Sequence, residues 1–124
     1  MALDSGVVYV SYASGGAAAA AEAFTLCTIA ANRRMAAAGN NAKPDGVFYE
    51  AASAAGEKVA VADWRHSQSL RVLAGNAITD GHFVRCNASG RAVSDGAAGT
   101  ANSIGRCIGG GANGEVVQIV TLDR

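Results

Sequence analysis

The chain is predicted to fold as an all-β domain, a small barrel or sandwich of about ten short strands. Three observations predict it: short alternating segments rich in Val, Tyr and Ile, glycine-rich turns spaced closely between them, and a long internal repeat. Strands of this length and spacing with Gly-rich turns are what closed or double-sheet β architectures need.

The elements follow in chain order. "GVVYVSYA" (residues 6–13) alternates and carries β-branched and aromatic residues, which suits a strand. The next segment is ambiguous. Ala17 to Ala38 has high helix propensity, and Phe24, Cys27, Ala31 and Met35 would share one helical face that Gly39 could end. Its counterpart later in the chain, "HFVRCNASGRAVSDG", instead alternates and carries turn residues. If the two share a fold, residues 24–30 are a strand, Asn32 sits at a turn, and a helix is confined to Gly15–Ala23. "GVFYEAA" and "EKVAVADW" flank a turn at Ala55-Gly56, as "IGRCIGG" and "EVVQIVTL" flank Asn113-Gly114. Asn-Gly is a hairpin signal because both residues tolerate positive φ. "SLRVLAG" and "GHFVRC" complete the strands, and Pro44, the single proline, lies in the loop "GNNAKPDG".

The repeat emerges when the chain is shifted by 59 positions. Gly16 then falls on Gly75, Ala18 on Ala77, Phe24 on Phe83, Cys27 on Cys86 and Gly46 on Gly105. With a one-residue slip, Arg33 falls on Arg91, Gly56 on Gly114, Glu57 on Glu115 and Val59 on Val117. Residues 6–64 and 65–124 therefore read as two structural copies within one domain spanning 1–124. A long unit present only twice points to paired barrel halves, since a solenoid needs three or more repeats.

Composition narrows the function. The 124 residues fit one domain. Half are apolar, but Ala and Gly dominate and only seven are aromatic, so the core is thin and stability is expected to come partly from a partner or from oligomerisation. Ten basic and ten acidic residues give a net charge of zero with no Lys/Arg run, which argues against nucleic-acid binding. No stretch approaches the roughly 20 apolar residues of a membrane span. The amino terminus, with Asp4 where a signal would be basic, reads as untargeted, so the chain is expected to be made in the cytoplasm. Cys27, Cys86 and Cys107 lack metal-type spacing and read as small buried apolar groups.

No catalytic constellation emerges. His66 and His82 are the only histidines and lack a metal-ligand set; on a strand, His82 and Cys86 merely share a face. "GGGANGE" lacks the Gly-Lys-Ser/Thr ending of a phosphate loop and reads as a hairpin loop. Glu57 and Glu115 stand at hairpin exits, where a turn-stabilising role suits them better than a carboxylate pair. The expectation is a non-enzymatic protein with no cofactor and no metal.

Two stretches are candidate contact surfaces. Trp64, at the junction of the copies, either caps the core or, with Arg65, anchors an interface, where Trp and Arg are enriched. Val7, Tyr9 and Tyr12 form either the first strand or, with residues 1–12, an extended arm that adds a strand to a partner's sheet edge.

The stretch "NAITDGHFVRCNASGRAVSDGAAGTANSIGRCIGGGANGEVVQIVTL" resembles the head decoration, or capsid cement, proteins of tailed bacteriophages. Gly81, Val84, Ser89, Gly90, Arg91 and Val93 fit the first part of that family's pattern; Ile104-Gly105, Gly114-Glu115 and Val116 to Leu122 fit the second. The amino-terminal copy follows it more loosely, and Arg106-Cys107-Ile108 departs from the small apolar residues usual there. The resemblance implies a virion protein on the outer face of the head. It would bind the major capsid protein and bridge neighbouring subunits as a homo-oligomer, with a trimer favoured. The alternative is a small β-barrel module in a tail or fibre that binds carbohydrate or peptide, for which Tyr49, Trp64 and Phe83 are the exposed-aromatic candidates.

Overall fold

Among the described residues, ten strands make up the regular structure: β1 (Tyr9–Ser14), β2 (Leu26–Ala30), β3 (Arg34–Ala37), β4 (Gly46–Phe48), β5 (Lys58–Asp63), β6 (Ser69–Leu73), β7 (Phe83–Cys86), β8 (Ala92–Ser94), β9 (Gly105–Ile108) and β10 (Val116–Thr121). The computed structural model describes residues 9–14, 23–30, 34–51, 57–65 and 67–122, and among them there is no helix. The protein is all-β. The possible helix at Gly15–Ala23 and the turns at Asn32 and Ala55-Gly56 fall largely outside the described residues.

The strands form two five-stranded arrangements. The first is a closed barrel in the order β1-β3-β2-β4-β5, with β5 pairing back onto β1. The second is a sheet in the order β6-β10-β9-β7-β8. Read as β3-β2-β4-β5-β1 and β8-β7-β9-β10-β6, the two orders are the same. The barrel closes through parallel pairs Ala13↔Arg34 and Ser14↔Met35. The sheet carries only one parallel bridge at that seam, Ala74↔Ala92, so it stays largely open there.

Gly46 and Gly105 show how alike the two are. A Cβ at Gly46 would lie 2.6 Å from the Ala62 carbonyl oxygen and 2.6 Å from Val61 Cγ1. At Gly105 it would lie 2.5 Å from the Val120 carbonyl oxygen and 2.6 Å from Ile119 Cγ2. Each glycine lets a short strand press against the closing strand, β5 or β10, at a distance a side chain would forbid.

Strand pairing also corrects the alignment of the halves. Gly46 pairs with Cys27, whereas Gly105 pairs with Val84. Cys27 therefore occupies the position of Val84, not of Cys86, and Leu26 that of Phe83. The offset is two residues, which in a strand keeps every side chain on its face. Both readings are apolar on the inward side, so the sequence pattern could not separate them.

β3 lies inside the Ala-rich run that favours a helix. Pairing with β2 over Arg34–Ala37 and with β1 at Arg34 and Met35 supplies the backbone hydrogen bonds that outweigh that propensity. The turn before β10 also differs in detail from a mirror-type hairpin turn. Gly114 has φ 86° but Asn113 does not take positive φ, and the Glu115 N–H closes the turn onto the Ala112 carbonyl at 3.1 Å.

Two apolar clusters follow from the alternation. Cys27, Met35, Phe48, Val59 and Val61 fill the interior of the barrel. Leu26, Val47, Ala62 and Trp64, on the outer side of β2, β4 and β5, join Leu70, Val72, Val84, Cys86, Cys107, Val117 and Ile119 of the sheet in one larger core. The barrel's outer face thus covers the sheet's inner face. Backbone hydrogen bonds pin the junction: Leu73 N–H to Phe24 O at 2.7 Å, Leu26 N–H to Gly90 O at 2.7 Å, and Asn41 N–H to Cys86 O at 2.8 Å.

Candidate docking surface

Trp64 takes the core position, 1% exposed, and its ring offers no area to a partner. Arg65 beside it is exposed, with its N–H donating to Asp63 Oδ1 at 2.9 Å. Tyr9 and Tyr12 belong to β1, where their backbones pair with Ala62 and Val59; Val7 lies outside the described residues. Residues 9–12 are therefore a strand of the barrel, not a free arm.

Among the groups weighed for chemistry, Glu115 and the three cysteines take structural places. The Glu115 carboxylate accepts the Ala112 N–H at 2.6 Å, stabilising its own turn. Cys27, Cys86 and Cys107 are buried, and burial raises all three thiols, Cys86 to about 11. Asp45 adds to the rise at Cys27 and Asp80 to that at Cys107. All three are protonated at neutral pH, which removes the thiolate a nucleophile requires. Among the described residues no three His, Cys, Asp or Glu gather closely enough to hold a metal ion.

One polar cluster organises the loop after β8. Asp95 Oδ2 accepts the Thr100 hydroxyl at 2.6 Å and the Ser103 hydroxyl at 2.5 Å, and Arg85 Nε stands 3.8 Å from Oδ1. Burial alone would raise this carboxyl, but the two hydroxyl bonds and the guanidinium outweigh it and hold the group below its ordinary value. Arg85 also reaches the side-chain oxygens of Asn40 and Asn41, at 3.3 Å each, tying the loop to the barrel.

A second arginine marks the junction itself. The Arg71 guanidinium lies 5.5 Å from the Phe24 ring centre and 5.6 Å from that of Tyr49, and the Arg71 N–H donates to the Tyr49 hydroxyl at 2.9 Å. Phe24 is held here at φ 64°, a conformation that costs a bulky residue energy and is sustained by its bonds to β4 and β6.

The open surface lies on the outer face of the second sheet. Four large apolar side chains are exposed among the described residues, and three belong to this face: Ile108 at 54%, Val116 at 43% and Val120 at 38%. Ile108 pairs with Gln118, which lies between Val116 and Val120 on β10, so the three surround one amide. Arg106, opposite Val120, sits 5.1 Å from the Phe83 ring centre and donates from Nε and Nη2 to the Gly81 carbonyl, both at 3.2 Å. The face combines aliphatic area with an aromatic-backed guanidinium, the chemistry enriched where proteins meet. Sequence reasoning missed it because "EVVQIVT" is apolar on both faces, which hides which side is buried.

No protein-family model matches the chain, and no curated protein does. Among solved structures, it is similar to the N base of head fiber gp8.5 of bacteriophage phi29. The TM-score is 0.72 over 93% of this chain and 95% of that one, at 20% identity. At that identity the likeness speaks for a shared fold.

Proposed function

We propose that the chain is a structural protein of a tailed-phage head, seated on the outer surface of the shell and reinforcing contacts between major capsid subunits. The observation that carries this reading is the end-to-end likeness to a head-fibre base, which spans nearly all of both chains. The decoration-protein pattern in residues 76–122 supports it independently. So does the build of the molecule: neutral charge and an open apolar face suit a piece that gains stability on docking. Repeated over a shell lattice, a modest affinity per copy adds up to reinforcement of the entire shell.

A second reading is favoured by the neighbour's own description. As the base of a fibre, the chain would mount a further module on the head instead of clamping the shell. Quantifying this chain against the shell protein in purified particles separates the two. Near-equal amounts support reinforcement, a few copies per particle support a fibre base, and absence from particles overturns both.

A further inference from the structure

An Asn or Asp side chain can close a five-membered imide with the backbone nitrogen of the next residue, and glycine in that next position hinders the attack least. The sequence holds four such pairs: Asp45-Gly46, Asp80-Gly81, Asp95-Gly96 and Asn113-Gly114. The fold engages three of the four side chains. Asp45 Oδ2 accepts the Ile29 N–H at 2.9 Å, Asp80 Oδ1 accepts the Gly109 N–H at 2.7 Å, and Asp95 Oδ2 accepts the Thr100 and Ser103 hydroxyls. Asn113 differs. It is exposed, its side chain has no hydrogen-bond partner among the described residues, and the space beside Gly114 is open. Of the chain's seven asparagines it alone precedes glycine. We propose that Asn113 is a self-modification site, converting to aspartate and isoaspartate through an imide with Gly114 at a rate set by the hold of Glu115 on the turn.

The chemistry needs only water. The Gly114 nitrogen, having lost its proton to solvent, attacks Asn113 Cγ. The N–Cγ bond forms, the Cγ–Nδ2 bond breaks, and ammonia leaves with a proton from water. Water then opens the ring. Attack at Cγ breaks the new bond and leaves aspartate; attack at the backbone carbonyl breaks the old peptide bond and leaves isoaspartate, with one extra carbon in the main chain. The native turn restrains the first step. The Gly114 N–H that must be freed donates to the Ala74 carbonyl at 2.9 Å, and the Glu115 N–H closes the turn onto Ala112 O at 3.1 Å. The Glu115 carboxylate braces the same turn by accepting the Ala112 N–H at 2.6 Å. The reaction therefore proceeds from the fraction of molecules in which this turn has opened, without unfolding of the core. The isoaspartyl product disturbs the entry to β10, where the Ala74 N–H donates to Glu115 O and Val116 begins pairing with Leu73.

Peptide mapping by mass spectrometry, with chromatographic separation of the two products, tests this independently of any role in a virion. The purified chain is aged at mildly alkaline pH, with native Trp64 emission confirming that it stays folded, beside the same chain in denaturant. Asn113 should convert first among the asparagines. It should do so on the order of tenfold more slowly in the folded protein than in the unfolded chain, the factor that one or two net hydrogen bonds supply. Glu115→Ala should speed conversion in the folded protein several-fold and leave the unfolded rate unchanged. Glu115→Gln, which keeps an acceptor oxygen, should stay nearer the wild type, and Asn113→Gln should abolish the product. The inference is overturned if Asn113 stays intact in the folded protein while another asparagine converts, or if folded and unfolded rates are equal. It is equally overturned if Glu115→Ala converts no faster than the wild type.

Discussion

Gly46 and Gly105 offer the sharpest test of how the two halves are built, because alanine adds one methyl group at each. At Gly46 the new carbon would meet a carbonyl oxygen and a valine methyl, both at 2.6 Å; at Gly105 the distances are 2.5 and 2.6 Å. The oxygen belongs to the paired strand's backbone, so relief needs movement of β5 or β10, not rotation of a side chain. Overpacking of this kind costs about 1–3 kcal/mol. Against a total stability of roughly 5–15 kcal/mol, that loss is readily measured. In urea, where the slope for a small domain is about 1–3 kcal/mol/M, it moves the midpoint by on the order of 1 M. Gly39→Ala is the control. No atom lies within 4 Å of its would-be Cβ and its φ is not left-handed, so alanine should stabilise by about 0.4–1 kcal/mol through the unfolded chain. Urea unfolding of the three variants, followed by the emission of the single Trp, decides the matter. If Gly46→Ala or Gly105→Ala proves neutral, or only one of them destabilises, the shared construction described above is wrong.

Other expectations follow from individual side chains. Trp64→Ala should cost about 3–5 kcal/mol, because the indole is 1% exposed and bridges the two sheets' common core; the native emission should shift to the red on unfolding. The three cysteines should resist a thiol reagent in the folded protein at neutral pH and all react once it is denatured; a fast-reacting native thiol would contradict their burial. Asp95, whose folded-state carboxyl is held low, contributes stability above its unfolded value that is lost as pH falls through the folded one. Asp95→Asn should therefore lower stability at neutral pH and flatten its acid-side decline in a pH series of urea titrations. Tyr49→Phe should cost about 1–3 kcal/mol, since the Arg71 N–H loses its hydroxyl acceptor at the junction.

Much of the fold was legible because strands announce themselves by alternation and β-branching. β1, β5 and β10 stand out in this way, and Gly46 and Gly105 already matched in the sequence. β3 was not legible: "RMAA" sits in an alanine run whose local preference is helical, and only pairing on both sides makes it a strand. β8, three residues long, is too short to show a period. The match of Cys27 with Cys86 was two residues out of register, an error that alternation cannot detect. Trp64 could be read as core or as anchor, since an indole suits both; only the packing of β5 against the second sheet places it inside. The outward face of β9 and β10 was hidden for a related reason. Consecutive valines and isoleucines tell which residues are apolar, not which of them a neighbour covers.

The head-surface role is tested most directly by electron cryomicroscopy of particles with and without this chain. The proposal predicts difference density on the outer face of the shell, repeated at lattice positions and sized for a 12.4 kDa β protein. Identical heads, or a difference confined to the tail or the inner face, would contradict it.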